Sequence, residues 1–100
     1  MIQYTQAEFL DIIKQYNNTD RSVIKANLKR IMIDYDFKTG DVISLGYSKN
    51  NVYCWTTKSS PNIPMLEQAL TLAVNFNFDI KEFLKNIWNI LHKHVDSMVE

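Results

Sequence analysis

The residues best equipped to read another molecule lie together in Ser48-Lys49-Asn50-Asn51-Val52-Tyr53-Cys54-Trp55. Each Asn amide carries a donor and an acceptor side by side, so it can pair with two neighbouring groups at once, as N6 and N7 of adenine present them. Lys49 can reach a guanine edge or a phosphate, and the Ser48 hydroxyl can hold the first turn of a helix. At helical spacing Lys49, Asn50, Asn51 and Tyr53 point outward while Val52 and Trp55 turn inward. A well-made bidentate contact to a base edge is worth about 1–3 kcal/mol of discrimination. The competing reading is a solvated helix face with no ligand, and on these residues alone both stay open.

Charge placement bears on the choice. No Asp or Glu occurs between Asp41 and Glu67, whereas Lys38, Lys49 and Lys58 flank or lie within that window. The hydroxyls of Thr56, Thr57 and Ser59 could add bonds to phosphate. Acid-poor polar loops are nonetheless common. Over the whole chain 11 basic residues balance 11 acidic ones. Long-range attraction to a polyanion is therefore weak, and any nucleic-acid affinity must come from local placement.

Other chemistry finds little support. His92 and His94 diverge on a helix and have no cysteine or carboxylate box beside them, so they read as solvated residues near a helix C-terminus, not metal ligands. Cys54 is the single cysteine. It has no His or Asp partner in view and cannot form an intramolecular disulfide, which fits a reducing cytoplasm. Asp34, Asp36 and Asp41 make a loose acidic patch, and no Gly-rich phosphate loop occurs. The expectation is a protein that is not an enzyme and takes no cofactor or metal. The N-terminus lacks a basic region leading into an apolar run, and no stretch approaches the roughly 20 apolar residues that cross a bilayer. The expected location is cytoplasmic, away from any membrane.

The elements that must position these side chains are helices. The chain has 100 residues, 46% of them apolar, enough for one domain with one core. Its two glycines and two prolines all fall between positions 40 and 64, leaving both flanks free of breakers and predicting an all-α fold. Thr5-Gln6-Ala7-Glu8 is a capping-box signature opening an N-terminal helix over about residues 5–17, with Phe9, Ile12, Ile13 and Tyr16 on its inner face. Thr19 or Asp20 caps the next helix, whose stripe is Ile24, Leu28, Ile31, Met32 and Tyr35. Val42-Ile43 mark a short element before Gly46 turns the chain, and Ser48 caps a helix running to about Trp55. Residues 56–63 form a loop. Pro64 belongs in the first turn of a helix burying Leu66, Ala69, Leu70, Ala73 and Phe76. Asp79 and Glu82 then form a box-like cap for a long C-terminal helix, about residues 80–98, carrying Phe83, Leu84, Ile87, Trp88, Leu91 and Val95.

From about residue 28 to 84 this order resembles the lambda-repressor/Cro-like helix-turn-helix domain. The family's recognition segment runs Gly, aliphatic, Ser, three variable residues, aliphatic, two variable residues, Trp. Here it appears as Gly46, Tyr47, Ser48, Lys49-Asn50-Asn51, Val52, Tyr53-Cys54, Trp55, with Tyr47 replacing the aliphatic. Pro64 through Ala73 looks like the family's fourth helix, and Asn75 through Leu84 like its final turn and fifth helix. The chain departs from the pattern in three places. Lys38-Thr39-Gly40 stands where a Thr-Gln pair usually opens the second helix, that helix is about one residue short, and Thr56-Thr57-Lys58-Ser59 replaces the usual acidic residue and Gly-basic pair.

The resemblance implies a five- to six-helix domain that binds double-stranded DNA through Lys38, Thr39, Ser48, Lys49, Asn50, Asn51, Tyr53, Thr56 and Lys58. It implies a transcriptional regulator, in the style of phage and mobile-element repressors, acting on a palindromic operator. The two terminal helices lie outside the family core. They either pack together and enlarge one core or form a homodimer interface, for which the C-terminal helix is the expected site. An alternative of another class is a protein-binding module that kept the shape and lost DNA binding, for example an inhibitor of a host defence enzyme. Net neutrality, the weak second helix and the aromatics Tyr47 and Tyr53 favour that alternative.

Overall fold

A computed structural model describes residues 3–85, which contain helices and no strand. In chain order these are α1 (Gln6–Asn18), α2 (Arg21–Asp34), α3 (Thr39–Ile43), α4 (Lys49–Thr56), α5 (Leu66–Asn75) and a 3-10 turn, Ile80–Leu84. The local signals act where the sequence puts them. Thr5 Oγ1 accepts from the Glu8 amide and Glu8 accepts from the Thr5 amide, closing the box that starts α1. Asp20, not Thr19, caps α2 by accepting from the Ser22 amide. Asp36, at φ 53, turns the chain out of α2 and sends Phe37 into the core.

One cluster holds the core together. Ile24, Leu28 and Ile31 of α2 are buried at its centre, with Ile12 and Tyr16 of α1, Val42, Val52, Trp55, Leu72, Ala69 and Phe83 packed around them. The Tyr16 ring meets Phe83 edge-on at 6.1 Å, and Phe37 stacks on Phe76 at 3.9 Å. The N-terminal helix is thus part of the same core, packing on α5 and the 3-10 turn. Of its expected stripe, Phe9 stays on the surface, as does Tyr35 of α2.

Four expectations about the second half of the chain are corrected. Pro64 lies outside the helix it was expected to open. Met65 is the N-cap of α5, Gln68 Oε1 accepts from the Met65 amide at 2.8 Å, and the buried Pro64 carbonyl accepts from the Tyr16 hydroxyl. Leu72, absent from the expected stripe, is fully buried.

Glu82 caps nothing. It is buried, takes a hydrogen bond from the Tyr35 hydroxyl at 3.0 Å, and lies 2.5 Å from the Lys85 ammonium and 3.6 Å from Arg30. Burial pushes its carboxyl up, but bonds from Lys85 and Tyr35 and the charges of Lys85 and Arg30 outweigh that and hold it below the usual range.

The long helix expected from residue 80 begins instead as a 3-10 turn and stops at Lys85, whose backbone is extended. The cause is side chains of α2. Asn27, fully buried, donates to the carbonyls of Phe83 at 2.7 Å and Lys85 at 2.9 Å, and Arg30 donates to that of Glu82 at 2.8 Å. These are carbonyls that an α-helix would give to amides four residues on. The rest of that expected helix, with Ile87, Trp88, Leu91, His92, His94 and Val95, lies outside the described residues.

Candidate nucleic-acid interface

α3 and α4 pack on each other across a tight turn. The Lys38 amide donates to Asp41 at 2.8 Å, starting α3, and Val42 plugs it into the core. The next bonds span three residues, from Leu45 to the Val42 carbonyl and from Gly46 to that of Ile43, and close the helix off. Gly46 then takes φ 107, a conformation that side-chain-bearing residues rarely adopt. Tyr47 follows, half-buried, its ring edge against Trp55 at 5.4 Å.

Ser48 opens α4 with extended backbone, and its hydroxyl accepts from the Asn51 amide at 3.1 Å. Eight residues are too few to hold a helix alone, so packing and caps must hold this one. Val52 is 1% exposed and Trp55 4%, and both anchor it from below. On the opposite side Lys49, Asn50, Asn51 and Tyr53 face solvent, with the Lys49 ammonium 5.8 Å from the centre of the Tyr53 ring.

The far end of α4 is closed by a residue of another helix. Lys25 of α2, only 8% exposed, sets its ammonium 2.6 Å from the Cys54 carbonyl, 3.2 Å from that of Trp55 and 3.0 Å from that of Thr57. Burial pushes its pKa down. The sequence held only a faint signal for this: a lysine beside Ile24 on the inner side of α2, and an α4 with no glycine to end it.

Of the remaining expected contacts, Lys38 is exposed at the start of α3, with Thr39 half-buried beside it, and Lys58 is exposed on the turn after α4. Thr56 is half-buried, and its hydroxyl turns back onto the carbonyls of Val52 and Tyr53. Neither a known protein-family model, nor a curated protein, nor a solved structure matches this chain.

Beside α4 runs a groove of about 680 Å³, with Asn51 and Trp55 on one wall and Asn17, Arg21, Asn62 and Gln68 on the others. A smaller, mostly apolar pocket of about 320 Å³ opens between Tyr4, Phe9, Leu70, Val74 and Phe78. Among the described residues no group of three or more His, Cys, Asp or Glu could hold a metal, and no helix is long and apolar enough to cross a membrane. The half-buried thiol of Cys54 is free. The arrangement offers recognition chemistry: amide pairs, an ammonium and a phenol on one exposed helix face.

Proposed function

We propose that this chain is a DNA-binding transcriptional regulator of the lambda-repressor/Cro-like type, with α3 and α4 as its helix-turn-helix and α4 as the helix that enters the major groove. The observation that carries the reading is α4 itself, which turns Lys49, Asn50, Asn51 and Tyr53 to solvent above a buried Val52 and Trp55. Asn50 and Asn51 supply base-edge pairing, Lys49 a guanine or phosphate contact, and Lys38, Thr39 and Lys58 contacts to the flanking strands. Ser48 serves as the cap that aims the helix.

The protein would act as a homodimer on a palindromic operator, since two recognition helices about 34 Å apart are needed to read two half-sites. The region after residue 85 is the proposed dimer element. Repression by blocking polymerase, a cytoplasmic setting and a phage or mobile-element origin follow by analogy with the family.

A second reading has its own support. The chain is net neutral, and Tyr53 leaves 45% of its surface exposed at the centre of the face. Aromatic residues of that kind suit a protein partner.

Binding to DNA from the protein's own upstream region, titrated against salt, separates the two. A regulator loses affinity steeply as salt rises, and Lys49→Ala reduces the slope by about one. Flat or absent binding at low salt sinks the DNA reading and leaves the protein-partner one.

A further inference from the structure

α4 is held at three places. Ser48 caps its first turn, Val52 and Trp55 anchor its underside, and Lys25 closes its last turn. The third is the unusual one. The last carbonyls of a helix lack partners within it, and α4 has neither a basic residue in its last turn nor a glycine after it. An ammonium has three donors, and Lys25 sets them against three carbonyls lying 29 to 32 residues further along the chain. Taking a lysine out of water is expensive, so its burial here needs all of those bonds.

We propose that Lys25 is the positioning residue that fixes the tilt of α4 and so the register of Lys49, Asn50 and Asn51 on a base edge. This rests on the reading of α4 as the DNA-contacting helix. Eight residues at 1.5 Å each make α4 about 12 Å long. Freed at its C-terminal end, it can rock on Val52, and since Lys49 lies about 4.5 Å along the axis from there, a tilt of about 10° moves it by about 0.8 Å. Recognition geometry has to hold to within about 0.5 Å. Lys25 itself is buried against the C-terminal end of α4, while Lys49 and Asn50 stand in its first turn.

The test uses the full chain with Lys25→Met, which keeps the bulk and removes the charge, and Lys25→Gln, which keeps a donor pair on a shorter arm. Amide hydrogen exchange on the free protein is the first readout. Faster exchange confined to α4, with α1, α2 and α5 still protected, is the expected result. Exchange that rises evenly in every helix, or that leaves α4 unchanged, overturns the proposal.

Binding is the second readout. Preference for the operator over a site with one base pair changed should fall about tenfold, the worth of one displaced base contact. The salt slope should stay as in the parent, and a slope reduced by about one would mean that Lys25 meets phosphate, which also overturns the proposal. If the parent protein binds no DNA at low salt, the regulator reading fails, while the exchange result still decides whether Lys25 holds α4.

Discussion

The Tyr16 hydroxyl donates to the Pro64 carbonyl across 2.5 Å of buried interior, tying α1 to the residue that leads into α5. Burial raises the pKa of the phenol, so it stays a donor at any ordinary pH. Tyr16→Phe keeps the ring against Phe83 and leaves the Pro64 oxygen buried without a partner. The expected loss is about 1–3 kcal/mol in urea unfolding. A variant as stable as the parent would mean that water reaches that carbonyl.

Trp55 is the larger anchor. Its ring sits beneath α4 and takes the edge of Tyr47. Trp55→Ala should cost about 3–5 kcal/mol, read as a much lower melting temperature. Neutrality would show that α4 is not seated as described.

The two glycines should respond in opposite directions. A Cβ at either one meets nothing within 4 Å, so backbone conformation alone decides. Gly46→Ala forces a side chain onto φ 107 and should destabilise by about 1–3 kcal/mol. Gly40→Ala, inside α3, should stabilise by about 0.5–1 kcal/mol in thermal or chemical melts.

Glu82 gives the fold an acid-sensitive element. Its carboxyl is held below the ordinary glutamate value by Lys85, Tyr35 and Arg30 despite the opposing effect of burial. The charged form is therefore favoured by folding. Its contribution is complete above the unfolded pKa and is lost as pH falls through the lowered folded one. Melting temperature should drop as pH goes from about 5 to about 3, and Glu82→Gln should be less stable at neutral pH and show a flatter acid limb. A parent profile no steeper than that of the variant would rule this out.

Asn50→Ala and Asn51→Ala remove surface amides with no buried partner. Each should leave the stability read from thermal melts within about 0.5 kcal/mol of the parent. Under the DNA reading each should also reduce operator discrimination by about 1–3 kcal/mol, measured by competition binding. Unchanged discrimination in both variants would remove the amides from any base contact.

The parts of this architecture that were legible in the sequence are those written in local patterns. Thr5 with Glu8, and Ser48 ahead of Val52 and Trp55, fix where α1 and α4 begin and which way they face, because caps and apolar spacing act within a turn or two. The grips of Lys25 on α4 and Asn27 on the 3-10 turn were not legible. Each joins groups about 30 to 58 residues apart, and a lysine or asparagine among apolar residues looks the same whether it faces water or plugs a helix end. Residue 80 illustrates the failure. Asp79 and Glu82 have the spacing of a helix start, yet Asn27 and Arg30 capture the carbonyls that the helix needed. Leu72 sits three residues after Ala69 and next to Ala73, so it widens the buried face of α5 beyond the stripe that Leu66, Ala69, Leu70 and Ala73 mark.

Lys25 and Asn27 project from nearly opposite flanks of α2, and apolar residues fill the space between them. The strip through Ser22, Ala26, Lys29 and Ile33 is exposed, as are Arg21 and Asp34 at the helix ends, and Val23, Arg30 and Met32 are half-buried. A saturation screen would therefore find α2 intolerant at Ile24, Lys25, Asn27, Leu28 and Ile31, the face that makes it an axle on which the other helices are mounted. Evolution could tune what α4 touches while leaving the axle alone.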